Sequence, residues 1–400
     1  MRTYWSVFLA LVLLSMTVGC APLARSTVPG LHLQGSDRNL QVGDIVAMRT
    51  REVVSFEALI SDLVSQQVIY LGETHTATAD HEIQLRVLTA LEGYSRSLMV
   101  GMEMFPVTVQ HWLDRWSAGE LSEEAFLKGV QWDQNWGYPV TLYRPILEYC
   151  RGRHIRIIGL NAPPQAVRGI AQRGLEHLDP AERLHVAREF DRNNVKHREA
   201  IRQQYEQHVA MHGAKGNFDM FYDAQLAWEE TMAETLAAQL TLQAAPELIV
   251  VLVGNGHIEY GYGVPLRTER RFPHSFKTVV PLAVNAREGA LDGELADYVW
   301  ITAPREPFPG HRGRLGVRVS PLESGKGMLI EDVLPDGPAA RAGVTAGDIL
   351  VAVDDRPVAN IHDIHTAMFG SESPRKSEHR LLLQRQGVQV ELEVVLPRSP

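Results

Sequence analysis

The chain has 400 residues, 45% hydrophobic and 22% charged, which suits an ordinary globular protein of two or three domains. Its net charge of -9, without any Lys/Arg block or zinc-knuckle spacing, argues against general nucleic-acid binding. Two cysteines, Cys20 and Cys150, are too few for a disulfide framework.

At the N-terminus, Arg2 precedes an apolar run from Trp5 to Val18, too short for a comfortable membrane span. Residues 1–19 therefore read as a signal peptide. Thr17-Val18-Gly19-Cys20 resembles the bacterial lipobox, which implies a lipid on Cys20 and an anchor in a membrane of the cell envelope. Ala21 stands where an Asp would resemble an inner-membrane retention signal, so the outer membrane is favoured. Residues 20–40, with Pro, Gly, Ser and Thr, are the expected tether. Cys150 lies at helical spacing within Tyr143 to Arg151 and is expected to be a buried structural thiol.

From 41 to 303 the pattern is α/β. Continuous apolar runs at Val68–Gly72, Leu98–Met102 and Leu248–Val253 read as buried strands, and Arg153–Leu160, between the last two, as another strand. Between them, Glu57–Ser65, Ala79–Leu91, Val107–Trp116 and Glu120–Gln131 carry helical spacing, so right-handed βαβ units and a mostly parallel sheet flanked by helices follow. No strand pattern occurs from about 164 to 246. That stretch is too long for a crossover and reads as a helical insertion, with breaks at Asp179-Pro180 and Gly213–Asn217. Phe276–Val284 and Tyr298–Ile301 are expected as strands nearer the sheet edge.

Three strand ends carry chemistry. The first runs out into Gly72-Glu73-Thr74-His75, the second into Glu103, and the fourth into Gly254-Asn255-Gly256-His257. Open parallel sheets bind ligands at the carboxyl ends of their strands, so these ends are expected to meet at one site. Glu73, His75, Glu103 and His257 form a candidate ligand set for a divalent metal such as zinc, and haem iron also accepts His or Tyr. Tyr260 and Tyr262, in the Gly-rich loop after His257, are candidate axial ligands or packing anchors. His81 can reach the site or face solvent. His208 and His212 share a helix face that reads as solvated, and His197 falls in the same insertion. Met220-Phe221-Tyr222, Trp228 and Met232 read as a lid over a macrocycle or as a helix-packing face. No Gly-x-Ser-x-Gly elbow and no P-loop occurs.

Residues 304–313, rich in Pro and Gly, read as a linker. Beyond it, Leu315-Gly316-Val317, Gly337–Val344 and Gly347–Asp354 follow in the order of a bacterial PDZ domain, which 314–400 closely resembles. That resemblance implies a small β-barrel-like module. It would capture a peptide or protein C-terminus by strand addition at Leu315, Gly316 and Val317, with Ile361–Phe369 as the other groove wall.

Gly72-Glu73-Thr74-His75, Gly101-Met102-Glu103, Gly159-Leu160-Asn161-Ala162-Pro163 and Gly254-Asn255-Gly256-His257 together resemble the ChaN-like haem-binding lipoproteins of the Tiki, TraB and erythromycin esterase superfamily. The resemblance spans about 40 to 300 and implies a surface lipoprotein that binds haem or iron through His75, His257, Tyr260 or Tyr262. The Tiki and esterase branches imply the alternative, a metal-dependent hydrolase of peptidase or esterase type. In it Glu73, His75, Glu103 and His257 would bind metal or move protons. A binding protein is the first reading. A haem shared between two copies would leave no sequence signature, so a homodimer stays open.

Overall fold

The computed structural model describes residues 31–33, 39–94, 97–212, 217–242, 248–286, 289–304, 315–322, 327–333, 337–358, 363–364, 367–368 and 377–396. The expected leader, Cys20, most of the linker, and most of the helix expected at Ile361–Phe369 lie outside these residues.

In chain order, short strands β1 (His32–Leu33), β2 (Ile45–Ala47) and β3 (Glu52–Val54) precede helix α1 (Phe56–Leu63). Then come β4 (Val68–Glu73), α2 (Thr78–Glu92), β5 (Leu98–Pro106), α3 (Gln110–Ser117), α4 (Glu123–Gly129), α5 (Trp132–Asn135), α6 (Val140–Gly152) and β6 (Arg156–Asn161). The insertion is α7 (Pro164–Arg173), α8 (Pro180–Arg183), α9 (Val195–His212) and α10 (Phe218–Leu242). It returns to β7 (Leu248–Gly254), α11 (Val264–Arg271), β8 (Phe276–Ala283), β9 (Ala290–Leu291) and β10 (Tyr298–Thr302).

The main sheet has the order β3-β2-β10-β8-β4-β7-β5-β6, and its central strands are parallel. Strands β4, β5 and β7 are buried along their whole length, which is why they read as unbroken apolar runs. Leu59, Val87, Val100, Leu252 and Trp116 belong to the core on one side of the sheet, and Met232, Leu236, Val251 and Val253 to a second core. Because β4, β7 and β5 are adjacent, Glu73, Gly254 and Glu103 come to neighbouring places at one end of the sheet.

Two expectations differ from the structure. The tether ends before Leu31: Leu31, Leu33 and Leu40 are buried with Val46, Leu291 and Val299, and β1 pairs with β9. Strand β5 carries Glu103 and runs on to Pro106, the residue expected to close it, with a register shift between Met102 and Pro106. Strands β8 and β10 are interior, because the antiparallel β2–β3 hairpin covers the edge.

The second unit contains β11 (Val317–Pro321), β12 (Met328–Val333), α12 (Pro338–Arg341), β13 (Ile349–Val353), β14 (Arg356–Pro357), β15 (Glu378–Arg385) and β16 (Val388–Val395). They form an antiparallel sheet in the order β11-β12-β13-β15-β16, over a core that includes Leu315, Ile330, Leu350 and Leu383. Asp354 and Asp355 both take positive φ, as a two-residue hairpin between β13 and β14 requires.

Candidate functional site

At the end of β4, Glu73 is buried and four side chains surround its carboxylate, among them His81, whose Nδ1 lies 3.5 Å from Oε2. The His75 Nδ1 lies 2.9 Å from its Oε1, the Tyr143 hydroxyl donates to Oε1 at 2.7 Å, and Gln84 Nε2 donates to Oε2 at 2.9 Å. Helix α2 supplies Gln84 and α6 supplies Tyr143, so two helices on one side of the sheet fix this carboxylate. His81 is buried rather than solvated: its Nε2 lies 3.2 Å from the His75 carbonyl oxygen and its Nδ1 3.2 Å from Gln84 Oε1. It therefore braces the loop that carries His75.

His75 is the accessible member, with its side chain 27% exposed. Its ring meets Trp136 at a centroid distance of 4.7 Å and Tyr138 at 5.1 Å. Burial acts against its charge, yet Glu73 and Glu103 outweigh that and raise its pKa. The contact with Glu73 commits Nδ1 and leaves Nε2 as the nitrogen turned toward β7. On β7, Gly254 stands against the same ring: a Cβ there would lie 2.9 Å from His75 Cε1 and 3.4 Å from Nε2. Only a residue without a side chain allows that approach.

Glu103 and His257 form the other half. Gly254 N–H donates to Glu103 Oε2 at 2.6 Å, and His257 Nε2 lies 3.4 Å from Glu103 Oε1. The His257 Nδ1 in turn lies 3.2 Å from Glu229 Oε1, so both ring nitrogens face carboxylates. Burial would neutralise both partners. Their mutual attraction prevails, holding Glu103 at about 2 and lifting His257 to about 10. Gln225 Nε2 lies 3.2 Å from the same Nδ1, so that nitrogen is shared between Glu229 and an amide.

The four residues Glu73, His75, Glu103 and His257 thus converge as expected, but not as a metal cage. Among the described residues, no three His, Cys, Asp or Glu side chains are disposed to hold a metal ion. The physical reason is that the carboxylates are already taken up by His75, His257, Gln84, Tyr143 and a backbone N–H.

Tyr260 and Tyr262 stack on each other with centroids 5.4 Å apart. Tyr260 has φ 58°, its N–H donates to the Leu295 carbonyl at 2.7 Å, and it packs against the core around Leu295. Lys196 Nζ lies 5.8 Å from the Tyr262 ring centroid. Those contacts fit the packing-anchor alternative. His197 is buried, between Tyr222 and Glu229, while the side chains of His208 and His212 lie outside the described residues. Tyr222 and Met232 are buried in helix cores rather than spread as a lid. Cys150 is buried and free among the described residues, and burial pushes its thiol up to about 12.

Sequence reading missed Gln84, Trp136, Tyr138, Tyr143 and Glu229. Only the aromatic density of Trp132, Trp136, Tyr138 and Tyr143, between a strand and the insertion, carried a visible signal.

In the second unit, Leu315 is buried, Gly316 has φ 77°, and Val317 opens β11, an edge strand paired to β12 alone among the described strands. The expected peptide-binding residues thus stand at a free sheet edge.

Comparison with known proteins agrees with both units. A solved structure described as cofacial haem binding to ChaN of Campylobacter jejuni superposes with a TM-score of 0.50 at 20% identity, covering 64% of this chain and 95% of that one. The chloroplastic protein RETICULATA-RELATED 5 of Arabidopsis thaliana is 23% identical over 267 residues, 61% of this chain and 35% of that protein. A probable periplasmic DegP-like serine endoprotease of Brucella suis biovar 1 is 40% identical over 83 residues, 20% of this chain and 16% of that protein. The chain therefore spans about a third or less of the length of these two relatives. A family model for haem-binding uptake proteins, Tiki superfamily, ChaN, matches residues 59–268, and a PDZ model matches 329–394. The chain belongs to the ChaN haem-binding uptake family of the Tiki superfamily and carries a PDZ domain.

Proposed function

We propose that the protein binds haem at the carboxyl ends of β4, β5 and β7, with His75 as its ligand to the iron. The observation that carries this reading is the division of labour between the two histidines. His75 commits Nδ1 to Glu73 and leaves Nε2 beside Gly254 at the strand ends, the arrangement in which a carboxylate orients a ligating imidazole. His257 has both nitrogens engaged by carboxylates and serves instead to hold Glu103. Trp136 and Tyr138 give His75 an aromatic flank suited to a flat macrocycle. Bound haem would supply an iron able to accept an imidazole nitrogen. The residues of the chain bind and orient it, and Tyr143 and Gln84 keep Glu73 fixed behind the ligand.

The PDZ domain supports binding of a peptide or protein C-terminus, seated along β11 at Leu315, Gly316 and Val317. Cys20, read from the sequence as lipidated, would place both units at a membrane of the cell envelope. Two copies sharing one ligand would be a further step of the same proposal.

A hemin titration followed by its Soret band tests the reading, with the mass of the loaded protein read alongside. A saturable shift is expected in the wild type, in Tyr260→Phe and in Tyr262→Phe, and is expected to disappear in His75→Ala. If the wild type gives no saturable shift, haem binding is abandoned, and acid–base chemistry by the Glu103–His257 pair becomes the reading to pursue. Retention of the wild-type band in His75→Ala moves the ligand elsewhere.

A further inference from the structure

We propose that Glu229, on the helical insertion, is the positioning residue of the strand-end site: it locks the His257 ring so that Nε2 is presented to Glu103. The proposal rests on the haem reading only for what the site binds, and on the geometry of the chain for the rest.

Glu229 and Glu230 are both fully buried on α10, an arrangement that demands partners for each. Glu230 finds its partners among arginines, with Arg270 at 3.1 Å and with Arg267 and Arg271. The Asp191 N–H also donates to it at 2.8 Å, and among the described residues none of its partners lies on a strand end. Glu229 differs. Arg267 Nε meets its Oε2 at 3.0 Å, His197 Nε2 sits across both oxygens at 3.1 and 3.2 Å, and Oε1 also meets His257 Nδ1 at 3.2 Å. Gln225, one turn earlier, donates to that same Oε1 at 2.9 Å and steadies it. The three helices α9, α10 and α11 thus converge on one carboxylate whose remaining contact is the site histidine.

Close approach of the next turn is built in as well. A Cβ on Gly263 would lie 2.3 Å from the His257 carbonyl oxygen and 3.1 Å from Glu229 Oε1. The chain after His257 therefore folds directly over the Glu229–His257 contact. Burial works against the charge of Glu229, but His197, His257 and Arg267 outweigh it and hold the carboxyl well below its usual range. An anionic acceptor at Nδ1 fixes the ring's orientation and keeps a proton on that nitrogen. The opposite nitrogen then donates to Glu103, whose other oxygen is taken by Gly254.

The test uses the full chain with 15N-labelled histidine, its His257 ring signals assigned by His257→Gln. At about pH 8, above the ordinary imidazole range, the wild type is expected to show both His257 ring nitrogens protonated. Glu229→Gln should move these signals to the neutral, single-tautomer pattern and weaken hemin binding about tenfold, the usual cost of losing an outer partner. Glu229→Asp should restore part of both. Glu230→Gln, which removes an equally buried charge from the same hub, should lower thermal stability and leave the His257 signals in place. Unchanged His257 signals in Glu229→Gln, or equal displacement by Glu230→Gln, would overturn the proposal. Wild-type protein that takes up no hemin, while Glu229→Gln still moves His257, would refute the haem reading and uphold the role of Glu229.

Discussion

At the scale of single residues, the site is an exchange of roles between two histidines that look alike in sequence. Both follow a glycine at the same Gly-x-x-His spacing after a long apolar strand. His75 rests on one carboxylate and reaches solvent, whereas His257 lies between two carboxylates. The pair His257–Glu103 also makes stability depend on pH in a definite direction. Glu103 titrates at about 2 in the fold against an ordinary 4.5, so its contribution is present above 4.5 and is lost as pH falls toward 2. His257 titrates at about 10 against an ordinary 6.5, so its contribution is present below 6.5 and is lost as pH rises toward 10. The pair contributes fully only between 4.5 and 6.5. Thermal midpoints measured across pH should decline on the alkaline side of that window, and His257→Gln should flatten the decline. A wild-type profile that keeps rising above 6.5 would contradict the assignment.

Elements explain why part of this site was legible and part was not. The strands that deliver Glu73, Glu103 and His257 are buried on both faces, and a run with no polar residue announces itself. The glycines that end β4 and β7 mark close backbone approach, so the positions of the strand ends could be read directly. The helices carry no such mark. Tyr143 reaches Glu73 from 70 residues away, and Glu229 reaches His257 from 28. On a helix an aromatic or a Glu is ordinary, and only the packing of that helix on the sheet reveals its target. The β2–β3 hairpin was missed for a similar reason, since each of its strands has three residues and too little period to read. Tyr143 is the clearest example of what α6 contributes. Burial first, and then the charge of Glu73, push its phenol upward, so it remains a donor to the buried carboxylate. Tyr143→Phe keeps the ring in its aromatic contacts with Trp132 and Trp136 and removes only that donor. It should cost about 1–3 kcal/mol, the penalty for leaving a buried charged acceptor short of a partner. Urea denaturation of the two proteins measures it, and a difference near zero would mean that Gln84, His75 and His81 satisfy Glu73 without it.

Across the whole molecule, two cores of different construction carry two separate binding chemistries. The α/β core and the PDZ core share no residue, and the functional residues of each lie on its own elements. Sites that share no partners are expected to respond independently to substitution. Gly316 offers the cleanest way to separate them. Its φ of 77° suits glycine and is a genuine outlier for a β-branched side chain, so Gly316→Val strains the loop that opens β11. Strain of this kind costs about 1–3 kcal/mol. At about 1.4 kcal/mol per factor of ten, peptide affinity should fall about tenfold or more. A library of labelled peptides with free carboxyl termini, each paired with its amidated form, provides the probe. The wild type should bind selected free-carboxylate peptides better than their amides, and Gly316→Val should lose that binding while its hemin titration stays unchanged. His75→Ala should do the reverse. Equal binding of amidated and free peptides would remove the carboxylate-capture role from Leu315, Gly316 and Val317. A Soret titration altered by Gly316→Val would show instead that the two units are coupled, and the independence argued from their separate cores would fall.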